Sequence, residues 1–221
     1  MAKVSIITAQ EAASMVSDNM MVTASGFVAS DMPEALTKAL EARFLETGSP
    51  KNLTLFYAAA QGNRDGSGAD HFAHEGMTKR VIGGHWNMVP NLGKLVLENK
   101  IEGYNLPQGT LSQLYRDIAG HRIGTITHVG LNTFADPRIE GGKLNSISTD
   151  DLVEVVNILG EEKLLYKAFP IDIGFIRGTY ADENGNFTMD NAVGSVAATS
   201  NATRFKKSGA RVSGPVPTVV E

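Results

Sequence analysis

Short apolar runs alternate along this chain with stretches of helical period, and only a few residues join one to the next. "MMVTA" (20–24), "NLTLFYAAA" (52–60), "KRVIGG" (79–84), "IEGYNLP" (101–107) and "GTITHVG" (124–130) read as strands. Between them, Leu36, Leu40 and Phe44 recur at helical spacing, a helix is expected near Asn91 to Asn99, and Leu111, Leu114, Tyr115 and Ile118 share one face of another. Short links between strand and helix cannot return a chain for antiparallel pairing. They produce parallel strands covered by their own connecting helices. The expected fold is α/β: an open, mainly parallel sheet with helices on both faces.

After about Thr149 the rhythm changes. "LVEVVNILGEEKLLYKAF" reads as two strands about Gly160-Glu161, and "IDIGFIRGTYADENGNFTM" as two more about Glu183-Asn184-Gly185. An antiparallel portion is therefore expected after about residue 150. Residues 193–207 suggest a poorly patterned helix, and "SGPVPTVVE" an edge strand limited by its prolines. No repeat or linker divides the chain, so residues 1–221 are taken as one domain. Thr8 and Glu11 form a capping-box pattern ahead of Ala12, Ala13 and Val16. Asp31 and Glu34 suggest a second helix start with Pro33 in its first turn, and a short helix is expected from about Ala69 to Met77.

Composition removes several function classes. With 42% apolar and 20% charged residues the 221-residue chain is globular. A net charge of -4 and the lack of any Lys/Arg cluster argue against nucleic acid as partner. No cysteine means no disulfide framework and no thiol nucleophile. No apolar run suits a signal peptide or a membrane span, so a cytoplasmic protein away from the membrane is expected.

In a parallel sheet every strand-to-helix turn falls on the same edge, where ligands bind. Four such turns are small or glycine-rich: Ser25-Gly26-Phe27, Gln61-Gly62, Gly83-Gly84-His85 and Pro107-Gln108-Gly109. Small residues bring backbone N–H groups close to a ligand, and helix N-termini favour anions. A carboxylate, phosphate or oxyanion site is one reading; ordinary tight turns are the other. Thr133 and Asn132, which follow a strand, are further pocket candidates, and Trp86 is a pocket wall or a core residue. His71, His74 and Glu75 suggest a metal only weakly, and surface polarity is the preferred reading; no metal site is expected. Asp136-Pro137-Arg138 reads as a structural turn. "GNRDGSG" lacks the Lys-Ser/Thr ending of a phosphate loop.

"DNMMVTASGFVASDMP" resembles the first signature of the family I coenzyme A transferases, through Asp18, Asn19, Val22, Gly26, Phe27 and Pro33. Ser25 stands where that signature has its first glycine, Asp31 where it has a later one, and Thr23 interrupts its apolar run. "LPQGTLSQLYRDIAG" resembles the family's Pro-Gln-Gly-Thr-Leu segment, and "GGHWNMVPNL" and "GLNTFADPRIEGGKLN" resemble the acetate and propionate CoA-transferase branch. The likeness runs from about Thr8 to Asp190 and identifies an α-type, N-terminal half.

The resemblance implies covalent chemistry. A glutamate attacks an acyl-CoA thioester, an acyl-glutamyl anhydride and CoA thiolate form, and the thiolate returns to give a glutamyl-CoA thioester whose CoA passes to a second carboxylate. It implies Gln108 as a neutral active-site donor, with Ser25, Gly26, Phe27, Gly84, Gly109 and Thr133 as substrate or oxyanion-binding candidates. No permanent cofactor is implied; a coenzyme A thioester is the substrate. The nucleophile belongs to a Ser-Glu-Asn-Gly motif in a β-type half, fused or separate, and an oligomer is expected. Glu183 in "DENGN" is rejected as that nucleophile, because Asp182 replaces the serine, no Gly-Ala follows, and Asn-Gly marks an exposed hairpin turn. Two other readings remain at this stage: a non-enzymatic effector-binding domain of similar architecture, and a citrate-lyase α-type acyl carrier transferase.

Overall fold

Side-chain alternation along β2 (Leu53–Tyr57) shows how the sheet is covered. Leu53, Leu55 and Tyr57 enter one core, while Phe56 and then Ala58 enter the other. The computed structural model describes residues 6–182 and 187–188 and the backbone of 211–213. β1 (Met21–Ala24), β2, β3 (Thr78–Gly83), β4 (Glu102–Asn105), β8 (Ile173–Phe175) and β9 (Arg211–Ser213) form a sheet of order β4-β3-β2-β1-β8-β9. Every pairing in it is parallel.

One face is covered by α1 (Ala9–Ser14), α2 (Glu34–Thr47), a 3-10 turn (Gly68–Phe72) and α3 (Pro90–Leu97). Ala12, Leu36, Leu40, Phe72, Leu92 and Val96 bury there against Val22, Leu55 and Val81. The other face holds α4 (Gln108–Ala119) and a small antiparallel sheet of order β5-β7-β6, formed by β5 (Gly124–Thr127), β6 (Val153–Ile158) and β7 (Glu161–Lys167). Leu111, Leu114 and Tyr115 pack there with Ile82, Tyr104, Leu164 and Tyr166. Asp117 joins α4 to β5, accepting from the Thr125 hydroxyl at 2.6 Å. No helix among the described residues is long and apolar enough to cross a membrane.

The expected architecture is present, with four differences of detail. "GTITHVG" pairs antiparallel with β7 instead of joining the parallel sheet; Ile126 is exposed, which a strand covered on both faces would not allow. "IDIGF" returns to the parallel sheet beside β1, so the antiparallel portion does not run unbroken to the end. The expected helix at 69–77 is a single 3-10 turn ending at Phe72. Asp31 does not cap α2: Pro33 is the N-cap, and Asp31 is buried at φ +59°. The Thr8–Glu11 capping box is formed as expected, with the Glu11 N–H donating to the Thr8 hydroxyl and the Thr8 N–H to the Glu11 carboxylate. The turn about Glu183, the helix at 193–207 and nearly all of "SGPVPTVVE" lie outside the described residues.

His71 is not a surface residue. It is buried, with Nδ1 2.6 Å from Glu41 and Nε2 2.7 Å from Glu34. His74 Nε2 lies 2.6 Å from the other Glu41 oxygen, and no metal-binding cluster occurs among the described residues. Burial pushes the Glu41 carboxyl up, but hydrogen bonds from His74 and His71 outweigh it and hold the carboxyl below its usual range. The network ties α2 to the 3-10 turn. Asp70, in that turn, accepts from the N–H groups of Leu92 (3.1 Å) and Asn91 (3.3 Å) and so caps α3.

Asp136 forms the structural turn its neighbours suggested. Its carboxylate takes Nε and Nη2 of Arg138 at 3.0 and 2.8 Å and the Asn132 N–H at 2.9 Å. Hydrogen bonds from Arg138 hold it far below the usual carboxylate range, against the opposing effect of burial. A carboxyl depressed on folding stabilises fully above its unfolded pKa, about 3.9. That contribution is lost as pH falls through the lower folded value. Urea midpoints are therefore expected to fall between about pH 5 and pH 2, and Asp136→Asn should flatten this dependence while lowering the midpoint at neutral pH. An unchanged slope in the variant would contradict the assignment.

Candidate active site

Because β1 to β4 run parallel, the turns that leave them meet at one sheet edge. An isolated bridge joins Val28 to Gln61, and the Gly62 N–H donates to the Val28 carbonyl at 2.8 Å. The Leu106 N–H donates to the Gly83 carbonyl at 2.9 Å, which brings the start of α4 beside the end of β3. A pocket opens there, lined by Ala24, Gly26, Phe27, Ala58, Ala59, Gln108, Ser112 and Tyr115.

The β1–α2 turn is tightly wound. The N–H groups of Phe27 and Ser30 donate to each other's carbonyls at 3.0 Å, and Gly26, Val28 and Asp31 all have positive φ. At Gly26 a side chain would meet the Gln61 Cβ at 2.9 Å as well as the strained φ of +124°, so glycine is required. Phe27 is pushed outward and half exposed. Ser25 is buried: its hydroxyl donates to the Asp31 carbonyl at 3.2 Å and accepts the Arg177 N–H at 3.0 Å. The serine that departs from the resemblance thus fastens the turn to the exit of β8, and its hydroxyl does not line the pocket.

Gln108 is the first residue of α4, exposed, with no hydrogen bond from its amide to any described residue. The N-cap, Pro107, supplies no side-chain cap, so the positive end of the α4 dipole is left without a protein acceptor from it. Tyr115 lies at the inner end of the pocket. Its hydroxyl donates to the Phe56 carbonyl at 3.2 Å and pairs with the Thr23 hydroxyl at 2.5 Å. Burial pushes its pKa well up, which keeps the phenol neutral. None of the described lining residues is charged.

Of the candidates from sequence, Gly26, Phe27 and Gln108 meet at this pocket, and Gly109 follows on the exposed first turn of α4. Gly84 stands behind it: a Cβ there would lie 2.5 Å from the Ala58 carbonyl oxygen and 2.7 Å from the Gln108 Cα. Gly62 is also a close-packing position, against Met88. Thr133 is exposed and outside the lining, its hydroxyl donating to the Gly130 carbonyl at 2.7 Å; the turn it belongs to follows β5 into the antiparallel sheet. Trp86 packs on the α1–α3 side of the core with its ring 6.1 Å from that of Tyr57. Glu183 lies outside the described residues. Ala24, Ala58, Ala59, Ser112 and Tyr115 were missed; Ser112 and Tyr115 follow Gln108 at i+4 and i+7, a spacing visible in the sequence.

An open parallel sheet with a pocket at the carboxyl ends of its strands, rimmed by a glycine turn and a helix start, is the arrangement in which α/β proteins bind ligands. The coenzyme A transferase family model matches residues 6–207, and the chain belongs to that family. It is 42% identical over 185 residues to the caffeate CoA-transferase of Acetobacterium woodii, covering 84% of this chain and 35% of that protein. The crystal structure of the acyl-CoA transferase YdiF apoenzyme from Escherichia coli O157:H7 superimposes with a TM-score of 0.91 at 35% identity, over 95% of this chain and 41% of that one. An acetoacetyl-CoA:acetate/butyrate CoA transferase alpha subunit from Clostridium acetobutylicum is 28% identical over 181 residues, 82% of this chain and 73% of that subunit. The chain thus spans little more than a third of the first relative's length and most of the alpha subunit's.

Two glycines should separate cleanly on substitution. Gly84→Ala places a methyl against backbone on both sides, and is expected to cost about 1–3 kcal/mol by overpacking. Gly109 has open space where its Cβ would be, so Gly109→Ala should be neutral or stabilising by up to about 1 kcal/mol. Urea unfolding of both variants decides; equal midpoints would refute the close approach at Gly84.

Proposed function

We propose that this chain is the α-type half of a short-chain acyl-CoA:carboxylate CoA-transferase. In this reading a β-type half, fused or separate, packs over the pocket and contributes a glutamate nucleophile. The observation that carries the reading is Gln108, a neutral amide at a helix start, without a partner among the described residues, at a pocket whose described lining is uncharged. Among the described residues no carboxylate lines that pocket, which favours an attacking group supplied by the other half.

The division of labour follows from charge. The glutamate oxygen adds to the thioester carbonyl, and the C–S bond breaks to give the anhydride and CoA thiolate. The thiolate then attacks the glutamyl carbonyl and expels the acyl carboxylate. Each addition places negative charge on a carbonyl oxygen, and a preorganised N–H donor in an uncharged site is worth more there than in water. Gln108 supplies such a donor from its amide. The Gly26-Phe27 turn shapes the rim, and the Ala24, Ala58 and Ala59 methyls leave room for a small acyl group. The likeness to acyl-CoA transferases favours this reading over an effector-binding domain. The CoA thioester enters as substrate, no resident cofactor has a role in these steps, and the working unit is an oligomer of the two halves.

The test is exchange of CoA from acetyl- or propanoyl-CoA to a second short carboxylate. The chain alone is expected to show none, and the chain with the β-type half robust exchange. In the complete enzyme Gln108→Ala should unfold as the parent does but turn over roughly 10- to 1,000-fold more slowly, the range for losing one transition-state donor. Exchange by the isolated chain, or unchanged turnover in the variant, would overturn the proposal.

A further inference from the structure

Three polar side chains line the pocket, and they differ in what remains for a ligand to use. The Tyr115 hydroxyl is spent on Phe56 and Thr23. Gln108 sits at the mouth. Ser112, one helical turn or about 6 Å further along α4, is half buried and makes no hydrogen bond to any described residue. A hydroxyl inside a helix either bonds back to a carbonyl one turn earlier or stays open to its surroundings. In this same chain Ser14 does so to Glu11 at 2.6 Å, Thr37 to Glu34 at 3.2 Å and Thr47 to Arg43 at 2.7 Å. Ser112 is in the helix interior and has no such bond.

Depth orders these residues. Gln108 is exposed, Ser112 intermediate and Tyr115 almost fully buried, so the pocket deepens along α4. The rest of the lining is Ala24, Gly26, Phe27, Ala58 and Ala59. An otherwise apolar pocket with one available hydroxyl below its mouth rewards a ligand that carries an oxygen there.

Resting on the transferase reading, we propose that Ser112 is a specificity-determining residue. Its hydroxyl hydrogen-bonds a hydroxyl or oxo oxygen on the second or third carbon of an acyl group whose carbonyl is held at Gln108. The site thereby selects short oxygenated acyl groups over unsubstituted ones of equal length.

The experiment uses the complete enzyme, this chain with its β-type half. It measures kcat/KM for CoA transfer to acetate from propanoyl-, 2-hydroxypropanoyl- and 3-hydroxypropanoyl-CoA, in the parent and in Ser112→Ala. Alanine favours the helix and removes only the hydroxyl, and a thermal melt confirms that the variant is folded. The expected result is a change in discrimination: kcat/KM falls roughly tenfold further for at least one hydroxyacyl donor than for propanoyl-CoA, the worth of one neutral hydrogen bond. A loss shared equally by all three donors, or no loss at all, overturns the role of Ser112 and leaves the transferase reading standing. Failure of the parent enzyme to transfer CoA from any donor overturns the transferase reading, and this inference falls with it.

Discussion

Parallel pairing is the constraint that the rest of the structure obeys. A strand that must lie alongside its predecessor in the same direction has to be preceded by a crossover, and those crossovers become the layers that bury both sheet faces. The same requirement gathers the outgoing turns at one edge. There the backbones approach closely enough that Gly26 and Gly84 have no room for a side chain. Gln61, fully buried at the end of β2, spans from one strand end to the next by donating its amide to the Ala24 carbonyl at 3.2 Å. The pocket is the space these crowded turns leave beside α4.

Charge is distributed so that the pocket is kept clear of it. Most ion pairs lie elsewhere: Glu34, His71, Glu41 and His74 on the α2 side, Arg80 with Glu102 and Asp150, and Arg138 between Asp136 and Glu162, while Arg177 and Asp31, 3.9 Å apart, stand behind the β1–α2 turn. These pairs fasten turns and helices to the sheet. A lining made of methyls, two aromatic rings, an amide and hydroxyls puts no side-chain charge of the described residues beside these dipoles, which is where a single N–H donor has most effect.

Strand and helix periodicity showed in the sequence wherever an element buries one clear stripe. Leu111, Leu114, Tyr115 and Ile118 marked the face of α4, and Thr8 with Glu11 marked the start of α1, because these patterns arise from contacts three or four residues apart. Partner choice was not legible in the same way. "GTIT" has the residues of a strand in either sheet, and only its half-exposed Ile126 shows that it belongs to the antiparallel one. At the site, glycine and the Pro-Gln-Gly turn were visible because their backbone demands are local. Ser25 and Thr133 offered hydroxyls that the folded backbone had already claimed, through Asp31, Arg177 and Gly130. His71 was misjudged because its partners, Glu34 and Glu41, lie at least 30 residues away.

The place of β8 beside β1 bears on how the molecule is made. The Met21 N–H donates to Asp172 across 151 residues of sequence, and Val22 pairs with Ile173. During synthesis the neighbouring pairs β1–β2, β2–β3 and β3–β4 can form as soon as they emerge, yet one edge of β1 stays bare until nearly all of the described chain has left the ribosome. Contacts of such long sequence separation close slowly, and a bare strand edge invites pairing with another chain. The newborn protein therefore passes its most aggregation-prone interval with the strand that carries the Gly26 turn still open on one side.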